Sequence, residues 1–172
     1  MTLQDLLDKQ EITENLARYM RAVDRGDLDT LRACYLPGAV EEHGGVYSGP
    51  ASSYVDSIAR TLTHPKSLTT HVLSNVLIEL DGSDRAHVEC YVTAFARVRT
   101  APGTTGDTLT VARMIDVFER VDGRWGVRHR RLLWEWNHDM DTNEGWIFGL
   151  LAPDTSVLTR GAKFPSDPVY TR

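Results

Sequence analysis

"DVFERVDGRWGVRHRRLLWEWN", residues 116–137, decides the fold class. Asp122-Gly123 stands between two runs rich in β-branched, aromatic and leucine residues, and an Asp-Gly pair supplies the positive-φ positions that a tight hairpin turn demands. The stretch therefore reads as two long antiparallel strands. Working backwards, "DRAHVECYVTAFARVRT" (84–100) alternates strictly. Ala86, Val88, Cys90, Val92, Ala94, Ala96 and Val98 fall on one face, and Arg85, His87, Glu89, Tyr91, Thr93, Phe95 and Arg97 on the other. "SLTTHVLSNVLIELDG" (67–82) is a further strand closing on a second Asp-Gly. Long strands joined by tight turns predict an antiparallel, strongly curved sheet.

Before Pro65 the pattern is helical. Thr2 and Asp5 form a plausible capping box, and Leu3, Leu6, Leu7, Ile12, Leu16, Tyr19, Met20 and Val23 mark an apolar stripe ending at Gly26. Asp27 caps a short second helix carrying Leu28, Leu31 and Tyr35, which stops before Pro37. Residues 39–48 read as a small hairpin around Gly44-Gly45, and "GPASSYVDSIARTL" (49–62) as a third helix. Helices gathered ahead of a meander place the chain in the α+β class. Residues 1–137 form one domain without internal repeats, and residues 138–172 form a tail that wraps this domain or a neighbouring subunit.

Bulk composition narrows the function. The chain has 172 residues, 41% hydrophobic and 25% charged, with a formal net charge of -5 and no basic run. Nucleic acid and acidic membranes are therefore poor partners. No N-terminal segment resembles a signal peptide and no apolar run approaches the ~20 residues of a membrane span, so a cytoplasmic location is expected. Cys34 and Cys90 lack metal or redox spacing and read as buried small hydrophobes.

One carboxylate has no structural task. Asp24 lies in the last turn of the first helix, where the helix dipole opposes a negative charge, and the next helix already has Asp27 as its cap. Such local violations concentrate at functional sites. On the ordinary reading, Asp24 pairs with Arg21 or Arg25 on a solvated surface.

"RYMRAVDRGDLDTLRACYLPGAV", "THVLSNVLIELDG" and "DVFERVDGRWGVRHRRL" together resemble the SnoaL-like branch of the NTF2-like superfamily, over residues 5–137. The resemblance implies a cone of curved sheet closed by N-terminal helices. Within the superfamily the motifs are most similar to the scytalone dehydratase, bile-acid 7α-dehydratase and hexachlorocyclohexane dehydrochlorinase groups. These work without cofactor through a His-Asp dyad, which the resemblance assigns to His71 and Asp24. Tyr19 stands where the dehydratases carry a tyrosine and the dehydrochlorinase a lysine. Arg130 matches an arginine on the dehydrochlorinase's last strand. Ala94 replaces an acidic pocket residue of the bile-acid enzyme, which counts against a steroid-like substrate.

The chemistry fits the residue types. Histidine changes charge near neutral pH, and a carboxylate on its second nitrogen fixes the tautomer and stabilises the imidazolium. His71 is the expected base, Asp24 its partner, and Tyr19 an acid or hydrogen-bond donor. In an unbroken strand, His71, Leu73, Asn75 and Leu77 share one face, opposite Val72, Val76, Ile78 and Leu80. Arg130, Leu132, Trp134 and Trp136 likewise share a face suited to an aromatic ligand. Arg130, Trp134 and Asn75 are thus expected to bind substrate, with Arg130 steadying an anionic group. Each has an ordinary reading too: His71 as a strand histidine, Tyr19 as core, Arg130 on a cation-rich outer strand with Arg128 and Arg131.

No metal site is expected. Glu41, Glu42 and His43 are adjacent in a strand and alternate faces, and "HDMD" (138–141) reads as a loop without ligand spacing. The expected function is a cofactor-independent, dehydratase-like lyase acting on a small hydrophobic or aromatic substrate, in a homo-oligomer (dimer or trimer). The alternatives are isomerisation, polyketide cyclisation or carbon–carbon cleavage on the same site, or a non-catalytic binding or assembly subunit.

Overall fold

Helix α1 (Leu3–Arg25) begins at the capping box, in a computed structural model that describes residues 1–65, 67–101, 104–151 and 157–171. Thr2 Oγ1 accepts from the Asp5 N–H at 3.1 Å, and Asp5 Oδ2 accepts from the Thr2 N–H at 2.6 Å. The helix stops at Gly26, which adopts φ 67°, a conformation that glycine enters without steric cost. A Cβ there would stand 2.7 Å from the Leu62 carbonyl oxygen, so the same residue permits close approach of a later helix. Asp27 caps α2 (Leu28–Ala33) by accepting from the Thr30 N–H at 3.1 Å.

The second helix is shorter than its sequence pattern implies. Tyr35 and Leu36 belong to strand β1 (Tyr35–His43), not to α2. Pro37 falls between Tyr35 and Val40, where the pairing of β1 is irregular and a missing N–H is tolerated. Strand β2 (Tyr47–Pro50) completes the hairpin, and α3 (Ala51–Leu62) crosses to β3 (Leu68–Asp81), β4 (Arg85–Ala101), β5 (Thr104–Val121) and β6 (Arg124–Asp141). The strand β6 runs on through His138–Asp141, which pair with Leu109–Gly106, so "HDMD" is strand rather than loop.

The six strands form one sheet in the order β2-β1-β6-β5-β4-β3. All neighbours are antiparallel except β1 and β6, which are parallel. That pair departs from the purely antiparallel expectation. It arises because α3 carries the chain from one edge of the sheet to the other, and the meander returns to β1 at its end. Register irregularities in β3, β5 and β6 bend the sheet into a cone. Ile12, Leu16, Tyr19, Met20 and Val23 of α1 fill it, against Met114, Phe118, Trp125 and Val127 of the sheet. Leu3, Leu6 and Leu7 instead stay exposed. Cys34 and Cys90 are buried free thiols.

Two of these bulges invert side-chain parity at residues expected in the site. In β3, Ser74 pairs with Tyr91 but Leu77 with Glu89, leaving one extra residue at Asn75-Val76, and Asn75 takes φ 50°. His71 and Leu73 therefore face inward before the bulge, and Ile78 and Leu80 after it, while Val72, Val76 and Leu77 are exposed. Between β5 and β6, Ala112 pairs with Trp134 and Val111 with Trp136, so an extra residue at Glu135 turns Trp136 to the outer face.

The segment 157–171 touches the end of α1. Phe164 N–H donates to the Arg25 carbonyl at 2.7 Å, Arg25 Nε pairs with Asp167 at 3.2 Å, and Lys163 Nζ donates to the Asp24 carbonyl at 2.8 Å. No helix among the described residues is long and apolar enough to cross a membrane.

Candidate functional site

The end of α1 meets β3 at Asp24. Its Oδ1 lies 2.6 Å from His71 Nδ1, and its Oδ2 accepts from the His71 backbone N–H at 3.0 Å. One carboxylate thus holds both the ring and the backbone of a residue 47 positions away. With Nδ1 committed to the carboxylate, the neutral imidazole carries its proton there and leaves the Nε2 lone pair bare. Asp24 does not bond Arg21 or Arg25; Arg25 turns instead to Asp167.

His71 lines a cavity of about 330 Å³ between the helices and the concave face of the sheet. Its walls are mostly apolar: Met20, Val23, Ile58, Leu62, Val92, Ala94, Ala112, Met114 and Leu132. Polar groups enter at a few points, the usual makeup of a small-molecule site. Tyr19 is one of them. Burial pushes its hydroxyl up to about 12, against the pull of the Arg130 guanidinium, so the group stays protonated.

Arg130 faces inward, contrary to the outer-strand reading, and is fully buried. Its guanidinium lies 4.1 Å from the centre of the Tyr19 ring and forks onto Asp116, with Nε–Oδ1 at 2.9 Å and Nη2–Oδ2 at 2.5 Å. Burial raises Asp116 while Arg130 pulls it down, and Asp116 in turn raises Arg130 against burial. The charge expected to steady an anionic substrate is therefore already balanced, although Arg130 Nη1 has no hydrogen-bond partner.

Trp134 stands at the cavity wall, half-exposed, with its indole N–H donating to the Gly44 carbonyl at 3.0 Å. Asn75 is not part of the site, because the β3 bulge places it on the exposed surface. Trp136 is excluded from the cavity face by the β6 bulge in the same way.

Sequence reading overlooked a second pair. Glu41, fully buried, accepts from the Tyr35 hydroxyl at 2.8 Å through Oε2 and lies 2.9 Å from His43 Nδ1 through Oε1. His43 lines the cavity, stacked on Tyr54 at 4.8 Å and edge-on to Trp134 at 5.6 Å. The signal was Glu-x-His in a strand, where residues two apart share a face. Alternation excludes only Glu42, which bonds His129 and Arg131 on the other side. No group of three or more metal-type ligands converges here or elsewhere among the described residues.

A known domain family matches residues 4–131: the SnoaL-like domain. Among solved structures, a putative scytalone dehydratase from Novosphingobium aromaticivorans superposes with a TM-score of 0.71 at 19% identity, over 83% of this chain and 94% of that one. A type 2 hexachlorocyclohexane dehydrochlorinase gives 0.73 at 17% identity, over 83% and 95%. A putative aromatic ring hydroxylase from Novosphingobium aromaticivorans gives 0.66 at 16%, over 80% and 94%. At these identities the likeness is one of fold. No curated protein matches the chain significantly in sequence.

Proposed function

The chain belongs to the SnoaL-like domain family, and on that premise we propose that it is a cofactor-independent lyase eliminating water from a small hydrophobic or aromatic alcohol. The observation that carries this reading is the 2.6 Å contact between Asp24 and His71, with the histidine lining an apolar cavity. In a site shielded from water, a carboxylate-held imidazole is a competent base towards a C–H made acidic by a neighbouring carbonyl. His71 Nε2 takes the proton, and Asp24 stabilises the imidazolium that forms. Tyr19, kept protonated by burial, donates a hydrogen bond to the substrate's carbonyl oxygen. Trp134 and the aliphatic walls accept the ring. A putative scytalone dehydratase and a dehydrochlorinase of the same fold lend the elimination its precedent.

The open face of the sheet exposes Val72, Phe95, Ile115 and Trp136, which supports self-association as a dimer or trimer.

The test uses 4-hydroxy-4-phenylbutan-2-one, a β-hydroxy ketone whose dehydration gives a strongly absorbing conjugated enone. The wild-type protein is expected to form the enone, and His71→Ala and Asp24→Asn to lose that activity with unchanged circular dichroism. Full activity in either variant removes the mechanism.

A further inference from the structure

We propose that His43, oriented by Glu41, is the acid of this site and protonates the departing hydroxyl, so that the cavity selects substrates whose leaving group needs a proton. The inference rests on the elimination proposed above.

Charge balance carries it. Glu41 is fully buried on β1, directly across from Arg130 on β6. Arg130 forks onto Asp116, which is itself fully buried. Arg130, Asp116 and Glu41, counted as ions, therefore sum to one negative charge in a region closed to water. The remaining ionisable groups that act on Glu41 or Asp116 are the Tyr35 hydroxyl, which is bonded to Glu41, the Tyr19 hydroxyl 3.3 Å beyond Tyr35, the Tyr54 hydroxyl, His129, which is held by Glu42 on the outer face, and His43. Burial holds the three tyrosines protonated. An unbalanced buried charge is strongly unfavourable, so the missing proton belongs to the Glu41–His43 pair.

Where that proton rests does not alter the consequence. As carboxylate and imidazolium, His43 carries hydrogen on both ring nitrogens. As carboxylic acid and neutral imidazole, Glu41 donates to Nδ1, and the ring hydrogen sits on Nε2. In either form Nε2–H is a donor. Its neighbour is the Tyr54 hydroxyl at 3.3 Å, a long contact that a substrate oxygen can displace or bridge. Tyr54 and His43 both line the cavity that His71 lines.

The two histidines come from opposite sides of the sheet order, His43 from β1, next to the edge strand β2, and His71 from the other edge strand, β3. One therefore faces the substrate with a bare nitrogen and the other with a loaded one. In the elimination, His71 Nε2 removes the proton α to the carbonyl, and the C–H electron pair becomes the new C=C bond. The C–O bond breaks, its electrons stay on oxygen, and His43 Nε2–H supplies the proton that makes it water. His71 ends protonated and the Glu41–His43 pair one proton short, and exchange with solvent restores both. A carboxylate leaving group requires no such proton, so Glu41 and His43 have a task only when the substrate is an alcohol.

Leaving-group substitution tests this. Wild type, His43→Gln, Glu41→Gln and His71→Ala are assayed on 4-hydroxy-4-phenylbutan-2-one and on its acetate ester, whose acetate departs unprotonated. His43→Gln is expected to lower kcat on the alcohol by about 10²-fold or more, the usual contribution of a general acid, and to leave the ester's kcat unchanged. Glu41→Gln, a positioning residue, is expected to lower kcat on the alcohol without raising KM, again sparing the ester. His71→Ala loses both substrates. If His43→Gln turns over alcohol and ester equally well, or loses both to the same degree, the acid role is overturned while His71 stands as base. If His71→Ala keeps both activities, or the wild type turns over neither ketone, the elimination and the inference fall together.

Discussion

Two histidine–carboxylate pairs face one cavity from opposite sides of the same sheet, and they differ in what stands behind the carboxylate. Asp24 is partly exposed at a helix end, and Lys163 Nζ sits on its own carbonyl oxygen at 2.8 Å. Burial lowers Lys163 while Asp24 holds it up, so a cation is coupled to this pair from outside the cavity. Glu41 is sealed in, and the nearby cation, Arg130, is already claimed by Asp116. A carboxylate with a cation behind it can remain ionised beside a neutral imidazole, whose free nitrogen is then a base. A buried carboxylate without one retains a proton within the pair and makes its imidazole a donor. On the proposed mechanism, two carboxylate–imidazole pairs thus take opposite roles because of charge balance two contacts away.

The comparison is broken most directly at His71. His71→Ala is expected to lower kcat by about 10³-fold, within the range of a general base, measured by enone formation. Asp24→Asn keeps the shape but can donate to Nδ1 and leave the proton on Nε2; it is expected to lose nearly as much, about 10²-fold or more. Both losses should appear for alcohol and acetate ester alike, which separates the pair on β3 from the pair on β1.

Gly26→Ala sharpens the contrast through the backbone. Positive φ and a Cβ 2.7 Å from the Leu62 carbonyl predict a stability loss of about 1–3 kcal/mol in chemical denaturation. The displaced helix end carries Asp24, so ester turnover should fall as well, whereas the Glu41–His43 contact on β1 should survive. Lys163→Met is expected to reduce turnover several-fold on both substrates by removing the cation behind Asp24. The smallest effect belongs to Asn75→Gly, which keeps the positive φ of the bulge and should leave kcat and KM unchanged.

Much of this was legible in the sequence, and the exceptions share a cause. The Asp-Gly turn at 122–123 gives the β5–β6 hairpin outright, and both ends of α1 follow from Thr2, Asp5 and Gly26. Asp24 was visible as a charge without a local task, and the structure supplies its partner in His71. Period-two counting assigns Asn75 and Trp136 to the cavity face because it assumes unbroken strands. A single bulged residue reverses every side chain beyond it, and nothing in "HVLSNV" or "LLWEWN" announces one before pairing partners are known. Pro37 reads as a helix stop and so places Tyr35 in a helix; its true place in β1 depends on pairing with β6, some ninety residues later, which no local pattern encodes. Glu41 and His43 were legible as a same-face pair. Their protonation was not, since it depends on Asp116 and Arg130, which local sequence cannot place beside them.

The decisive measurement is the protonation of Nε2 in the two histidines, read from long-range proton–nitrogen NMR spectra at neutral pH and assigned with His43→Gln and His71→Ala. A bare Nε2 on His71 and a protonated Nε2 on His43 are expected in the wild-type protein, with the His43 signal changed by Glu41→Gln and the His71 signal by Asp24→Asn. The same state on both rings, or a protonated Nε2 on His71 with a bare one on His43, contradicts the division into base and acid.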